Sequence, residues 1–550
     1  MECDQDATGF CVIVCDSAES ERFRGWIAQR LGLHFDDTKL KFLAEVLERL
    51  ADKEGLALRP YLDRLEGPDI DNELQALVLE LTVPETYFFR HIDQFRAFTD
   101  IALPDALAAR RSIRKLNILS AGCASGEEPY SLAMLVRECA VDPGWNVAIR
   151  ALDINPTMLA KAARGCYSAW ALRETPANTQ RRWFRSVGRE FVLDESIRAA
   201  VTFQEVNLAQ GNAELWTPET YDVIFCRNVL MYFTPDSAQA LVARLTHSLA
   251  PGGHLFLGHA ETLRGLSNDY HLRHTHGTFY YQRKDAQKDE RREKSADKHN
   301  GALQNILPHH AAFERIKNED SSVAGGLSAV AFRATAPEPE SAWAKTWLET
   351  VQHASDRIQA LAERPAAESA LRGSRHPGGV VQTGTQLRLA LELLKEERFS
   401  DALDLLGRLP AESEQDPDVL LLRAALLTHS GHLSAAESVS AQLLERDELN
   451  TGAHYLLALC RENAGDRQGA LDHHRAAIYL DPAFAMPRLH LGLMARRAGD
   501  SDDARHELGQ ALLLLRREDT SRLLLFGGGF GREALIALCR AELLSAGGLP

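Results

Sequence analysis

Two adjacent acids, Glu127 and Glu128, follow a small-residue turn holding Gly122 and Gly126 in "NILSAGCASGEEPYSLAML", residues 117–135. The apolar run before the turn reads as a strand and the pattern after it as a helix. The first amides of such a helix are free to take an anion. A phosphate-cradling loop also uses glycines, but a pyrophosphate placed there would be repelled by Glu127 and Glu128. Asp153 ends the next apolar run, in "ALDINPTML", where an acid can hydrogen-bond the two hydroxyls of a ribose. A nucleoside bearing an amine and a sulfonium would welcome these acids. S-adenosylmethionine is that nucleoside: its positive end suits Glu128, and its carboxylate suits the glycine-turn amides. A nucleotide ligand and a merely structural turn remain the alternatives that the residues leave open.

Two further clusters follow at strand ends. Asn207, in "VNLAQG", offers an amide that can read an adenine edge. "FCRNVLMYF" carries Cys226-Arg227-Asn228, and Arg227 is more natural beside an anion than beside an amine. An enzyme methylating the amino groups of DNA places an Asn/Asp-Pro-Pro-aromatic turn there; this chain has none. Tyr232 and Phe233, like Phe88 and Phe89 of "TYFFRHIDQF", read by residue type alone as core packing.

The elements that must position these residues are legible in the periodicity. "LNILS", "VAIRALD", "AVTFQEV", "YDVIFC" and "HLFLG" are short β-type runs alternating with helical patterns, and "YHLRHTHGTFYYQR" reads as a hairpin. That rhythm predicts a doubly wound parallel sheet, with its ligand across the carboxyl ends of the strands. Upstream, "FRGWIAQRLGL", "KLKFLAEVLERLADKEG" and "LRPYLDRLEG" have apolar residues at three- and four-residue spacing, so the N-terminal part is helical.

At 550 residues the chain should form two or three domains. Its net charge of -15 disfavours nucleic acid as a general partner, which needs a basic surface. No apolar stretch reaches the roughly 18 residues of a membrane span, and the N-terminus lacks the basic and small-residue features of a signal peptide. The nine cysteines are scattered, with no CxxC pair and no histidine in ligand spacing. No metal site is expected, and a reducing cytoplasm fits.

The segment 285–380 opens with the charged run "QRKDAQKDERREKSADKHNGA" and reads as a disordered linker. Short helices around Trp343 to Leu361 are allowed within it. Beyond it, Ala390, Ala424, Ala458 and Gly492 recur every 34 residues, and Ala402, Ala436, Ala470 and Ala504 repeat the step twelve residues later. Gly431, Gly465 and Gly499 punctuate the units, and Asp416-Pro417 and Asp481-Pro482 read as helix starts between them. This resembles the tetratricopeptide (TPR) repeat, with about four units over 386–517 and a capping helix at 532–546.

In their order, "ETYFFR", "AGCASGEEPYSLAM", "DINPTMLAKAARGCYS", "NL" and "FCRNVLMYF" resemble the CheR-type chemoreceptor methyltransferases, from about Phe23 to Arg283. The likeness implies an α/β architecture. A helical receptor-interaction domain (1–90) precedes a class I, Rossmann-like methyltransferase domain (91–284) with a small β-subdomain near 170–203; an all-α TPR solenoid (381–550) follows the linker. It implies that Thr86 and Arg90 reach the cofactor from the helical domain. Gly122, Glu128, Asp153, Asn207, Leu208, Arg227 and Asn228 would complete the S-adenosylmethionine pocket. Arg90 and Tyr232 match residues assigned to catalysis or substrate orientation. Pro84 departs from the family's usual asparagine.

The implied reaction is methyl esterification of glutamate side chains on methyl-accepting receptors, in the cytoplasm. The TPR tail would bind a protein or peptide partner, as on members serving surface-sensing and biofilm pathways. Lys39, Lys41, Arg49 and Lys53 offer a basic face to an acidic receptor, although a solvated helix face explains them equally. The rival readings are a methyltransferase for another carboxylate and a TPR scaffold whose methyltransferase domain is a catalytically weak S-adenosylmethionine sensor.

Overall fold

The computed structural model describes residues 17–67, 71–82, 85–139, 142, 144–285, 378–409 and 413–547. Pro84 and almost all of the segment read as a linker, with its short helices, lie outside these described residues. Two compact units are present: one holds the chain up to Glu261 and resumes at Asp269, and the other holds the C-terminal helices with Thr262–Asn268.

In the first unit four helices come first: α1 (Ser17–Leu31), α2 (Leu40–Lys53), α3 (Leu58–Leu65) and α4 (Asp71–Leu81). Their apolar stripes close on one core around Phe23, Ile27, Leu43, Leu47, Tyr61 and Leu77. The buried Trp26 indole donates to the Leu65 carbonyl at 2.9 Å, which satisfies its polar edge. Two short helices, α5 (Ile92–Ala97) and α6 (Leu103–Ala109), then lead to the sheet.

The apolar runs form seven strands in one sheet: β1 (Lys115–Ala121), β2 (Asn146–Asp153), β6 (Val201–Glu205), β7 (Tyr221–Cys226), β8 (Leu249–Leu257) and the hairpin β9 (Tyr270–Thr275) and β10 (Thr278–Arg283). Their order is β6-β2-β1-β7-β8-β10-β9. The first five are parallel and the hairpin is antiparallel. The chain runs outward from β1 to β6 and then returns to β7, so the topological switch lies between β1 and β7. Helices α7 (Glu127–Glu138), α8 (Pro156–Arg164) and α11 (Pro235–Ser248) make the crossovers. A separate small sheet, in the order β3-β5-β4, uses β3 (Cys166–Ser168), β4 (Phe184–Val187) and β5 (Glu190–Leu193), flanked by α9 (Ala177–Trp183) and α10 (Glu195–Arg198). Its strands thus begin upstream of 170 and end at 193, while 201–205 belongs to the main sheet.

The second unit is a run of helices: α12 (Gly378–Lys395), α13 (Phe399–Leu406), α14 (Pro417–His429), α15 (Leu433–Arg446), α16 (Thr451–Asn463), α17 (Arg467–Leu480), α18 (Ala485–Arg497), α19 (Ser501–Leu515), α20 (Thr520–Phe526) and α21 (Arg532–Ser545). Successive pairs follow the 34-residue period. Seven of the eight repeated small positions are alanines, all fully buried, and Gly431, Gly465 and Gly499 take the left-handed backbone that closes each hairpin. Asp416 caps α14 as its sequence suggests. Asp481 does not start a helix: its carboxylate accepts from the Ala483 amide and binds Arg522, and α18 begins only at Ala485.

The eighth small position is Gly492, where a Cβ would lie 2.6 Å from Leu508 Cγ. Gly492→Ala is therefore expected to destabilise the helical unit by about 1–3 kcal/mol through overpacking. Gly509→Ala is its counterpart: nothing lies within 4 Å of that Cβ, so removing glycine from mid-helix should stabilise by about 0.4–1 kcal/mol. Denaturant unfolding of the two variants should shift in opposite directions. No helix among the described residues is long and apolar enough to cross a membrane.

Candidate functional site

The switch point brings three strand ends together. Gly122 and Cys123 donate their amides to the Leu152 carbonyl at 2.8 and 3.0 Å, which ties the loop after β1 to the end of β2. Gly122 has φ +79°, and a Cβ there would meet Val229 Cγ2 at 2.3 Å. Gly126, at φ +90°, faces Ala162 in the same way. Both glycines are thus required first by loop and helix packing, the structural role that the residues alone left open beside ligand binding. No side chain caps α7 at its N-terminus, but Pro129 in its first turn has no N–H and the Gly126 amide donates to the Cys123 carbonyl, so few of the usual free amides remain there.

The two acids behind the turn have separate fates. Glu127 is buried and turned inward onto Ser125 Oγ; burial raises its pKa against the pull of Ser125 and Lys161. Glu128 accepts from Ser120 Oγ at 2.8 Å and pairs with Arg227 Nη1 at 3.2 Å. Burial again raises its pKa, with Arg227 as the main opposing influence. Arg227, whose side chain is 2% exposed, also donates to the Arg90 carbonyl, while its Nε has no partner among the described residues. Residues read separately as cofactor contacts are therefore one buried ion pair across the switch point.

Asp153 receives the amides of Ala124 and Asn155 at 2.7 and 2.9 Å. This fixes its carboxylate beside the glycine turn, and burial raises its pKa against those bonds. Asn207 is committed differently: its Nδ2 donates to the Arg30 carbonyl at 3.0 Å and its Oδ1 accepts from the Ala209 amide at 2.9 Å. Its side chain thus ties the helical domain to the sheet. Leu208 is buried, and its carbonyl accepts from Arg244.

The segment 85–91 enters from the helical side. Phe88 and Phe89 are buried, as their residue type suggested; Phe88 packs edge-on against Tyr167 and Phe184, and the Phe89 amide donates to Ser131 Oγ. Phe89 and His91 both lie at φ 59°, a conformation held by these contacts. Arg90 between them is half-buried and donates from Nη1 to the Glu85 carbonyl at 2.9 Å. Among the described residues it makes no ion pair. Thr86 is half-buried in the same segment. Tyr232 stands at the rim, 38% exposed; its partial burial raises the hydroxyl pKa, and the Arg90 charge opposes the rise.

Glu261, absent from the sequence reading, holds the fourth cluster in place. Its buried carboxylate accepts from the amides of Asn228, Val229 and Gly258 at 2.7–2.8 Å and of Met231 at 3.3 Å. Asn228 is thereby kept in the left-handed region, at φ 57°. The only sequence signal for Glu261 is its place just beyond the end of β8. Glu261→Gln keeps the shape but turns an NH2 toward those amides. We expect it to lower the stability of the first unit by about 1–3 kcal/mol and to weaken cofactor binding, measured by denaturation and calorimetry. His91 and His259, also missed, lie with ring centroids 4.5 Å apart. Burial and the neighbouring Arg227 hold His91 down at about 4, so it is neutral near pH 7.

This set of groups fits S-adenosylmethionine. Glu128 and Asp153 supply acid for an ammonium and for hydroxyls, while the amides of Gly122, Cys123, Ala124 and Gly126 are taken up by the protein's own acceptors. The model of the family described as CheR methyltransferase, SAM binding domain, matches residues 84–279, which indicates S-adenosylmethionine as the cofactor. Chemotaxis protein methyltransferase 2 of Vibrio cholerae is 35% identical over 289 residues, 51% of this chain and 98% of that protein. The probable biofilm formation methyltransferase WspC of Pseudomonas putida is 26% identical over 490 residues, 88% of this chain and 96% of that one. Among solved structures, a TPR protein of Thermus thermophilus is 26% identical, with TM-score 0.24, covering 30% of this chain and 91% of that one. The strand order, the buried Glu128–Arg227 pair at the switch point and a match spanning nearly the whole of the Vibrio protein agree: the chain belongs to the CheR family of S-adenosylmethionine-binding methyltransferases.

Proposed function

We propose that the protein methylates glutamate side-chain carboxylates on the cytoplasmic domains of methyl-accepting chemotaxis-type receptors. The observation that carries this reading is Arg90, a half-buried guanidinium beside the site with no ion pair among the described residues. An arginine so placed calls for an anion, and its planar fork matches a carboxylate. S-adenosylmethionine supplies an electrophilic methyl on a sulfonium, which a carboxylate oxygen takes as the carbon–sulfur bond breaks and its electron pair stays on sulfur. Glutamate is ionised at neutral pH, so no general base is required. Catalysis then rests on positioning and on excluding water from two opposite charges. Arg90 holds one carboxylate oxygen while the other attacks, and the Tyr232 hydroxyl steers it from the rim.

In this reading Thr86, Arg90, Gly122, Glu128, Asp153, Asn207, Leu208, Arg227 and Asn228 make up the cofactor pocket. The contribution of Asn207 is through its backbone, its side chain being occupied. The helical domain meets the receptor in the cytoplasm, and the TPR unit binds a protein or peptide partner. Transfer of labelled methyl to receptor cytoplasmic domains, followed by mild alkali, tests the substrate class. Volatile methanol is expected; label that survives alkali would show another acceptor.

A further inference from the structure

We infer that the helical unit carries a divalent metal site of the zinc type, formed by Glu462, His474 and His490. Glu462 lies near the end of α16, His474 within α17 and His490 within α18. One ligand atom from each falls within 4.8 Å of the others. Glu462 Oε2 is 3.2 Å from His490 Nδ1 and 4.0 Å from His474 Nε2. Donors on a tetrahedral ion at about 2.0–2.1 Å stand ~3.3 Å apart, so one pair is already at ligand spacing and the others must shorten, by up to ~1.5 Å, for the group to close on one ion.

His474 supplies the independent observation. It is fully buried, and neither ring nitrogen has a hydrogen-bond partner among the described residues; Nε2 is too far from Glu462 to count as bonded. A buried polar group left unsatisfied is destabilising and asks for a partner. A Glu462 oxygen and a His490 nitrogen lie within 4.8 Å of a His474 ring nitrogen.

The surroundings support ligation. Arg497 Nη1 donates to the other oxygen, Oε1, at 2.5 Å, which orients the carboxylate as outer-shell partners of metal ligands do. The Tyr455 ring lies 5.9 and 5.7 Å from the two imidazoles and walls the group. Its hydroxyl is donated to the Phe526 carbonyl and stays out of the set. Two imidazoles and a carboxylate suit Zn(II) among borderline ions. Because the ligands come from three consecutive helices, an ion here staples one repeat to the next. In an array stabilised by neighbour interfaces this acts on the whole unit. The ligands are 12 and 16 residues apart (474 − 462 and 490 − 474), spacings that match no local metal motif, whereas the expectation of no metal rested on the scattered cysteines.

The test uses the full chain, stripped with chelator and titrated with Co(II) alone as a spectroscopic stand-in, then with Zn(II). One equivalent of Co(II) should bind, giving the visible bands of a low-coordinate nitrogen–oxygen site without thiolate charge transfer. Zn(II) should displace it and raise the thermal midpoint. His490→Ala and Glu462→Gln, checked for native helical content by circular dichroism, should each lose the bands and at least tenfold in affinity. Absence of stoichiometric binding by the native chain, or native-like binding in either folded variant, overturns the site. Should one variant fail to fold, the other decides.

Discussion

Glu128→Ala is expected to lower the unfolding free energy of the methyltransferase unit by roughly 3–5 kcal/mol, the range for stranding one partner of a buried ion pair. Arg227 is 2% exposed and Glu128 13%, so little water reaches the cation left behind. The loss would be a large share of the 5–15 kcal/mol that holds a typical domain together. Ser120 Oγ would lose its acceptor as well. The double variant Glu128→Ala with Arg227→Met separates structure from function. Removing both charges should restore much of the stability, while cofactor binding stays lost because no acid faces the ligand's cationic end. Denaturant unfolding beside calorimetric titration with S-adenosylmethionine reads both. A double variant that regains cofactor affinity would show that Glu128 serves the fold alone.

Arg90→Ala should behave in the opposite way. The atom of Arg90 that the buried network uses is its backbone carbonyl, which accepts from Arg227 and survives the substitution. Its side chain makes one hydrogen bond, to the Glu85 carbonyl. Stability should therefore change by no more than about 0.5 kcal/mol. Methyl transfer should fall on the order of 10²–10³-fold, the effect of deleting one preorganised group from a reacting site. Arg90→Lys should recover only part of the rate, because a point charge cannot hold both the geometry and the charge of a carboxylate. Transfer measured with saturating cofactor, alongside thermal unfolding, checks the split. Near-native transfer in Arg90→Ala would remove this residue from the proposed mechanism.

The contrast between these variants reflects what could be read along the chain. The strand runs "LNILS" and "YDVIFC" became β1 and β7 because a short apolar run between turn signals has few other outcomes. The acids and amides at their ends were noticeable for the same reason: strand ends in a doubly wound sheet converge. Periodicity likewise placed the helical hairpins, since a small residue every 34 positions has meaning only if helices pack closely there. Asp481 was misread as a helix start because an Asp-Pro pair resembles a cap until its carboxylate finds Arg522, 41 residues away. Asn207 was read as facing a ligand, yet its amide reaches the Arg30 carbonyl 177 residues upstream. Glu261 left almost no mark, because a carboxylate that gathers four backbone amides needs no local partner in sequence.

By itself, then, the order of residues determined the element types, the repeat period and the chemistry of the strand-end groups, because these follow from local spacing. Only the tertiary structure decided which charges neutralise each other. Glu128 meets Arg227 across 99 residues, Asn228 is held by Glu261, and Glu462 faces two histidines on separate helices. The interaction of a polar group depends on distance and burial in space, and neither is encoded in how far apart two residues lie along the chain.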